Sequence, residues 1–249
     1  MTIKHVLFYA LAGVALLAAP VGASELTKSD VEQIVRDYLV KNPEILVEVS
    51  NALRAKQESQ QADNDKELLN IHAKQLYANN DPEIGNPKAS LTIVEFFDYN
   101  CGYCKRGHAM MQQLMADDKD IRYIYKQFPI LGETSQFAAR AALAVQLSQP
   151  DKYQTFHHKL NTHPGRLSSE GEVKQLAQAA GVDWSKVEAK IKDASIDQNL
   201  ATNRLLAEGL AISGTPAFII GDQVMRGAPR DLASLKALIK DVRAGKSIQ

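Results

Sequence analysis

Cysteine is scarce in this sequence, and the two that are present, Cys101 and Cys104, lie three positions apart. Two cysteines are too few for a disulfide scaffold, for a four-cysteine zinc module and for most iron–sulfur clusters. An excess of one charge is also missing, because Lys and Arg together number 29 and so do Asp and Glu. A neutral chain has no basic surplus for nucleic acid or for an anionic membrane surface. The composition therefore argues against nucleic acid as a partner.

Long apolar runs are missing too, except at the start of the chain. Lys4 precedes the uncharged apolar run Val6–Ala19, Pro20 ends it, and the small residues Val21–Ala23 follow at the spacing of a cleavage site. The run has about 14 residues, whereas a membrane-spanning helix needs roughly 20. The pattern predicts a secretory signal peptide over residues 1–23, with a membrane anchor as the weaker alternative.

The apolar and polar pattern of residues 24–85 predicts a helical segment, and this pattern differs from that of the rest of the chain. Ser29 and Glu32 have the spacing of a capping box, and apolar residues at helical spacing surround them. A second apolar helix follows and becomes almost entirely polar over Arg54–Glu67. Short helices with one apolar face must pack on another surface to be stable. We therefore expect an oligomerisation arm and linker, with self-association through residues 24–60.

Residues 86–249 alternate between strand and helix patterns. Leu91–Phe97 and Ile121–Ile130 predict two strands, and a long helical stretch covers about 134–212. Two further strands and a last helix are predicted at Ala217–Ile220, at Gln223–Arg226 and after Asp231. The predicted helix caps within the helical stretch are Thr134 or Ser135, Ser169 with Glu172, and Asp183. This order of elements is typical of a layered α/β domain with a helical insertion.

The cysteine pair comes just after the first of these strands and opens a helix. A sulfur at a helix N-terminus faces unpaired backbone N–H groups and the positive end of the helix dipole, which favour the thiolate. We therefore predict Cys101 as the attacking nucleophile and Cys104, one turn deeper, as the resolving thiol. A purely structural disulfide is the alternative, but a loop this short would stabilise the fold little.

Two segments carry a resemblance to a known family. Phe96–Cys104 reads FFDYNCGYC, and Gly214–Ala217 reads GTPA far downstream. Together they resemble the thioredoxin superfamily, and more narrowly the periplasmic DsbA-like disulfide oxidoreductases that carry an added N-terminal helical segment, the suppressor-of-copper-sensitivity protein C group. The resemblance covers residues 85–245 well and 24–60 more loosely. It implies an α/β thioredoxin fold with a helical insertion, preceded by an α-helical N-terminal arm.

The resemblance also implies roles for four further residues. The family has a cis-proline opposite the redox pair, and Pro216 matches it, with Thr215 free to pair through its backbone with an extended client strand. A buried acid and a lysine move the proton of the second cysteine, and Glu95 and Lys126 match those places. Because Glu95 interrupts an apolar run, it would need a buried partner, and we expect Lys126 on the adjacent strand to supply it.

The implied function is that of a periplasmic thiol:disulfide oxidoreductase, an enzyme that acts on exported proteins through a mixed disulfide and needs no dissociable cofactor. The active-site dipeptide Gly102-Tyr103 and Thr215 resemble the DsbC-type isomerases, whereas the helical insertion resembles the oxidases. An isomerase or a mixed isomerase and oxidase is therefore the first hypothesis, with a dedicated DsbA-like oxidase as the alternative. The implied partners are exported proteins with thiols or disulfides and a DsbB-like or DsbD-like membrane redox partner.

A binding protein is the competing hypothesis from another class. His108 is positioned to share a helix face with both cysteines, so Cys101, Cys104 and His108 could hold copper. A holdase with an oligomeric cleft is the other version. His157 and His158 are expected to be solvated on a polar helix. We predict no metal site, because the chain does not clearly supply a complete ligand set.

Overall fold

The computed structural model describes residues 25–78 and 81–245. The predicted signal peptide over residues 1–23 lies outside the described residues. The described residues divide into two compact units, with the boundary between Leu53 and Arg54. Among the described residues, no helix is both long and apolar enough to cross a membrane.

The described part of the first unit contains helix α1, Lys28–Lys41, and the beginning of helix α2, Glu44–Leu76. The cap of α1 is a reciprocal capping box between Thr27 and Asp30. The prediction of Ser29 and Glu32 as the capping box is therefore wrong by two positions. Thr27 takes the role because its hydroxyl accepts from the Asp30 N–H, while the Asp30 carboxylate accepts from the Thr27 N–H at 3.0 Å.

The apolar side chains of α1 are exposed. Val31, Ile34, Val35 and Tyr38 have exposed fractions between 46% and 58%, and their spacing puts them on one face. Within the described residues, no side chain of α1 is buried. An uncovered apolar face is what self-association through residues 24–60 would require. The self-association itself stays a prediction.

Helix α2 is continuous over 33 residues, and the boundary between the two units falls inside it, at Leu53. The predicted boundary at residue 85 lies elsewhere because the second half of α2 packs on the rest of the second unit. Leu69 and Leu76 are buried in an apolar cluster there. Asp65, in the almost entirely polar stretch Arg54–Glu67, accepts two hydrogen bonds from the Arg226 guanidinium at 2.7 and 2.8 Å.

A five-stranded mixed sheet forms the centre of the second unit, in the order β1-β3-β2-β4-β5. Its strands are β1 Glu83–Gly85, β2 Leu91–Phe97, β3 Ile121–Gln127, β4 Ala217–Ile220 and β5 Gln223–Arg226. Strands β2 and β3 are parallel, and the other neighbours are antiparallel. The prediction that β3 reaches Ile130 is wrong, because Pro129 has no N–H and the Ile130 N–H donates to Asp98 Oδ2 instead.

Seven helices of the described residues follow in the second unit. They are α3 Gly102–Asp117, α4 Glu133–Ser148, α5 Pro150–Thr162, α6 Glu170–Ala179, α7 Trp184–Lys190, α8 Ala194–Gly209 and α9 Leu232–Arg243. The predicted N-caps Ser169, Asp183 and Asp231 are confirmed. Helix α4 begins earlier than predicted, after Gly132. The α/β thioredoxin fold with a helical insertion is confirmed.

The sheet separates two cores because side chains alternate along each strand. Glu95 and the tyrosines Tyr123 and Tyr125 lie on the first face, where α3, α9 and much of the helical insertion pack. Phe96 and Lys126 are paired in register and lie on the second face, beneath α2 and α8. The expected pair of Glu95 with Lys126 is therefore wrong: the two side chains point to opposite faces of the sheet.

Lys126 instead pairs with Asp81 across 2.6 Å, and both side chains are 2% exposed. Its ammonium also donates to the carbonyl oxygen of Gln75 at 3.1 Å. The other oxygen of Asp81 accepts from the amides of Asn199 and Asn203 at 3.0 and 2.8 Å. These groups border a cavity of about 600 Å³ on the second face, which does not include the cysteines among its lining residues. The buried ion pair is thus fully hydrogen-bonded on its acidic side.

We expect Asp81→Ala to lower the free energy of unfolding by about 3–5 kcal/mol, because it leaves the buried Lys126 ammonium without its counter-charge. The loss can be measured by urea unfolding, followed through the fluorescence of Trp184, the only tryptophan. Asp197→Ala is the control, since it removes an exposed ion pair with Arg140 and should cost little. Equal losses in the two variants would contradict the importance given to the buried pair.

Candidate active site

Cys101 occupies the N-cap of α3, directly after the turn that follows β2. Its sulfur accepts a hydrogen bond from the Cys104 N–H at 3.4 Å. Both cysteines are free thiols and both are buried, with Cys101 6% exposed and Cys104 0%. The order of exposure agrees with the prediction, but Cys101 is far less exposed than its position suggests.

The surroundings of Cys101 favour its thiolate. A hydrogen bond from the Cys104 thiol is the largest cause that lowers the pKa of Cys101, and the pKa falls to about 6 although burial opposes the shift. The Thr215 side chain and the backbone N–H groups of Cys104 and Tyr103 act in the same direction. Cys101 can therefore be a thiolate at neutral pH.

The surroundings of Cys104 have the opposite effect. Burial raises the pKa of Cys104 far above its ordinary value, and the hydrogen bond it gives to Cys101 and the charge of Glu95 raise it further. Cys104 therefore stays protonated when Cys101 is ionised. Two sulfurs three positions apart thus have distinct chemical states, as expected for a nucleophile and a resolving thiol.

Glu95 lies on the first face of the sheet and is buried. Its carboxylate accepts a hydrogen bond from the Tyr123 hydroxyl. Burial raises the pKa of Glu95 to about 8, although the bond from Tyr123 opposes the shift. The carboxyl group therefore holds a proton near neutral pH, and when it ionises its charge raises the pKa of Cys104. Tyr123 is a partner that the sequence did not point out.

The turn before β4 brings a distant part of the chain to the redox pair. The Thr215–Pro216 peptide bond is cis, as the sequence predicts. The Cys101 thiol donates to the carbonyl oxygen of Thr215 at 3.2 Å, across 114 positions of sequence. The turn is therefore adjacent to the sulfur that would meet a client.

The dipeptide between the cysteines is exposed. Tyr103 has 60% of its side chain accessible, and the Arg106 guanidinium lies 4.6 Å from the centre of its ring. A Cβ added at Gly102 would meet no atom within 4 Å, so this position is open. Gly102 and Tyr103 thus form part of the surface around Cys101.

His108 and His157 are buried, whereas His158 is exposed as predicted. His108 is buried and contacts His158, with 3.0 Å between His108 Nε2 and His158 Nδ1. Burial lowers the pKa of His108 to about 4, with the charge of His158 as a second cause. The prediction that His157 is solvated is wrong, because it is buried with its Nδ1 2.9 Å from the Tyr99 hydroxyl. Among the described residues, no group of three or more His, Cys, Asp or Glu side chains could hold a metal ion.

Lys126 is the one predicted site residue that the structure does not bring to the redox pair. Its side chain lies beyond the sheet, in the ion pair with Asp81. The sequence also missed Asp98 and Asn100, two buried polar residues directly before Cys101. Their position between an apolar strand and the cysteine pair is the only sequence signal that could have identified them.

Two family models match the chain. Residues 92–239 match the DSBA-like thioredoxin domain, and residues 28–60 match the copper resistance protein ScsC N-terminal domain. The second match covers α1 and the first part of α2. Both agree with the resemblance found in the sequence.

Similar proteins support the same family. The thiol-disulfide exchange protein alpha-DsbA2 from Wolbachia pipientis is 34% identical with a TM-score of 0.69, over 74% of this chain and 98% of that chain. A periplasmic thioredoxin-like protein from Salmonella enterica serovar Typhimurium is 32% identical with a TM-score of 0.61, over 70% and 97%. Disulfide bond formation protein D of Bacillus subtilis is 26% identical over 180 residues, which are 66% of this chain and 78% of that protein.

Part of the similarity is to a domain of larger proteins. The chain is 23% identical over 167 residues to the Na(+)/H(+) antiporter NhaA 3 of Salinispora tropica, and spans 25% of the length of that protein. This match covers 66% of the present chain. The family model, in contrast, matches more than half of the chain, and it includes both cysteines, Glu95 and the Thr215–Pro216 turn. The chain belongs to the family of DSBA-like thioredoxin domain proteins.

Proposed function

We propose that this protein is a thiol:disulfide oxidoreductase whose reactive groups are Cys101 and Cys104. The observation that carries the proposal is the unequal state of the two sulfurs. Cys101 has a pKa of about 6, whereas the pKa of Cys104 is raised far above its ordinary value. Such a pair can attack a disulfide with one sulfur and release the mixed disulfide with the other.

Oxidation of a client starts from the Cys101–Cys104 disulfide. A client thiolate attacks Cys101 Sγ, the S–S bond breaks, and Cys104 leaves and takes up a proton. The second client thiolate then attacks the client sulfur of the mixed disulfide, and Cys101 leaves as a thiolate. The client loses two electrons and the pair gains two, so no dissociable cofactor is required. The low pKa of Cys101 makes it a good leaving group.

Isomerisation uses the reduced pair. The Cys101 thiolate attacks a client disulfide and forms a mixed disulfide, while a client sulfur is released as a thiolate. A different client thiolate then attacks the mixed disulfide and displaces Cys101, so the client is rearranged without net electron transfer. If no such attack follows, Cys104 resolves the mixed disulfide and the client is reduced.

We assign the proton transfer to Glu95 and not to Lys126. Glu95 has a pKa of about 8 and acts electrostatically on Cys104. At neutral pH it can give a proton to Cys104 as that sulfur leaves, and take the proton back when the disulfide forms again. Lys126 is held in the ion pair with Asp81 on the other face of the sheet, so it is not placed to transfer a proton to Cys104.

Isomerase or mixed activity is the first choice within this class. The Gly102-Tyr103 dipeptide and Thr215 favour it, and so does the exposed apolar face of α1, because several active sites in one oligomer can act on one misfolded client. The helical insertion and the match to the DSBA-like model favour a dedicated oxidase, which is the alternative. The two differ in whether the pair works mainly reduced or mainly oxidised.

The proposed location is the periplasm, with export directed by residues 1–23. The periplasmic location of the Salmonella relative supports it. Periplasmic proteins with thiols or disulfides would then be the clients, and a membrane redox partner of the DsbB or DsbD type would reset the pair. An oxidising compartment allows such a pair to exchange disulfides instead of staying reduced.

We expect the attack of reduced protein on a small disulfide to speed up between about pH 5 and pH 7 and then to level off, because the pKa of Cys101 is about 6. Cys104→Ala removes the largest cause of that low pKa, so its titration should move to higher pH. The titration of Cys101 in the wild type and in Cys104→Ala is followed through the ultraviolet absorbance of the thiolate. The pKa of Cys101 is lower in the folded protein than the value of about 8.5 in the unfolded chain, so ionisation of Cys101 stabilises the folded reduced form. This stabilisation is complete above about pH 8.5 and is lost as the pH falls through about 6. Identical titrations of the two proteins would contradict the assignment.

We expect Glu95→Gln to slow the reaction of the oxidised pair with dithiothreitol below pH 8, because the proton donor to Cys104 is lost. Above pH 8 wild-type Glu95 is itself deprotonated, so the ratio of the wild-type to the variant rate should fall through about pH 8. Tyr123→Phe removes a hydrogen bond that lowers the pKa of Glu95, so the same fall should occur at higher pH. A ratio independent of pH would count against Glu95.

We expect the double substitution Ile34→Asp with Tyr38→Asp to reduce the mass per particle measured by light scattering to that of one chain, because it puts charges on the apolar face of α1. The rescue of a protein with scrambled disulfides should decline more than the oxidation of a simple dithiol. Leu205→Asp, at an exposed apolar position of α8, is the control and should change neither. Wild-type protein that is already a single chain in solution would refute the proposed self-association.

A further inference from the structure

Asp98 is a buried carboxylate in the turn between β2 and Cys101. One oxygen accepts from the backbone N–H groups of Ile130 and Leu131 at 2.8 and 2.9 Å. The other accepts from the Asn100 N–H at 2.7 Å. Asp98 therefore connects the turn before Cys101 to the loop that joins β3 to α4.

Asn100 is buried and directly precedes Cys101. Its amide nitrogen donates to the Thr134 hydroxyl at 2.8 Å, at the beginning of α4. Its amide oxygen accepts from the Leu167 N–H at 2.7 Å, in the segment between α5 and α6. One side chain thus joins two segments that lie 34 and 67 positions away in sequence.

The segment 128–132, which Asp98 binds and which leads into α4, and the segment 163–169, which Asn100 binds, are called the flanking loops. A direct bond also joins them, since the Arg166 guanidinium donates to the carbonyl oxygen of Leu131. On the α3 side, the Lys105 ammonium donates to the carbonyl oxygen of His163 at 2.7 Å. The flanking loops are therefore fixed to each other and to the first turns of α3, around Cys101.

Two exposed apolar side chains lie at the cysteine dipeptide and on a flanking loop. In the described part of the second unit, five large apolar side chains are exposed: Ile71, Tyr103, Ile130, Leu147 and Leu205. Tyr103 belongs to the cysteine dipeptide, and Ile130, with 42% of its surface accessible, belongs to a flanking loop. An extended client chain that presents its sulfur to Cys101 would meet both side chains.

We propose that Asp98 and Asn100 are positioning residues, which hold the flanking loops in the arrangement that lets a protein client dock beside Cys101. The proposal rests on the proposed oxidoreductase function and identifies the part of the protein that recognises protein clients. Small thiols and disulfides need no such surface. The two residues act on client binding through the loops.

The physical reason is the loss of a preformed binding surface. If a buried donor or acceptor loses its partner, the group must find another one, and the loop it held samples other conformations. A client that binds only the original arrangement then binds more weakly, in proportion to the fraction of molecules that keep it. The substitutions keep the Asp98 main-chain groups that bond to Cys101 and Cys104, so the chemical step should change less than binding does.

The test compares three variants with a matched control. Asn100→Ala removes both side-chain bonds, and Thr134→Val removes only one of them, from outside the turn. In Asp98→Asn the single amide oxygen cannot replace both carboxylate oxygens. The control is Gln149→Ala, because the buried Gln149 amide also makes two hydrogen bonds, to the backbone of Asp183, away from the cysteines.

Each protein is assayed with reduced, unfolded ribonuclease A as the protein client and with glutathione as the small reactant. We expect KM for ribonuclease A to rise roughly three- to tenfold in Asn100→Ala and Asp98→Asn, the range that the net loss of about one hydrogen bond implies. Thr134→Val should show a smaller rise. In all three, kcat and the glutathione rate should change by a smaller factor than KM, and Gln149→Ala should leave KM unchanged.

Three results would overturn the proposal. If KM for ribonuclease A stays at the wild-type value in Thr134→Val and in those of the Asp98 and Asn100 variants that fold, the flanking loops do not receive clients. If KM for ribonuclease A and the rate with glutathione change by equal factors, the residues act on the sulfurs. An equal rise of KM in Gln149→Ala shows a general loss of stability. Failure of the oxidoreductase function itself is separate, since the wild-type protein would then not exchange with glutathione.

Discussion

The Cys101 sulfur lies where three parts of the fold meet. Strand β2 delivers the chain to the N-terminus of α3, the first turn of α3 supplies the Cys104 thiol and N–H groups, and the turn before β4 supplies Thr215. Each of these groups acts on the same atom, and together they stabilise a thiolate in a site that is nearly closed to water. Displacement of any of the three would raise the pKa of Cys101, so the sheet order and the helix start both contribute to the state of this sulfur.

The site depends equally on what is kept neutral. Cys104 and Glu95 are both buried, and burial raises the pKa of each. The one negative charge that the pocket tolerates can then settle on Cys101, which has the most hydrogen-bond donors. A second negative charge nearby is disfavoured: the Cys101 charge raises the pKa of Glu95, and the charges of Glu95 and Cys101 raise that of Cys104. The proposed proton transfer between Glu95 and Cys104 would keep both groups neutral at each change of the disulfide.

The parts of the site that could be predicted are those that local sequence determines. The cysteine spacing, the helix start and the Gly-Thr-Pro turn lie in short segments with their own chemical logic, and Glu95 is visible as a charge in an apolar strand. The partner of Glu95 could not be predicted in the same way, because the face on which Lys126 lies depends on strand register. Asp98 and Asn100 bind segments 32 to 67 positions away, and no local pattern records such contacts. His157 is buried and its neighbour His158 is exposed, and only the packing of α5 determines which of the two is buried.

The ion pair between Lys126 and Asp81 restricts how this sequence can change. The two residues are 45 positions apart in sequence. Among the described residues, each is the only oppositely charged side chain in an ion pair with the other. A single substitution at either position would leave a lone charge in an apolar interior, whereas replacement of both by apolar residues of similar volume can be neutral. The route between these two states passes through a strongly destabilised intermediate. The pair would therefore tend to be inherited as a unit, and in an alignment of descendants positions 81 and 126 would vary together.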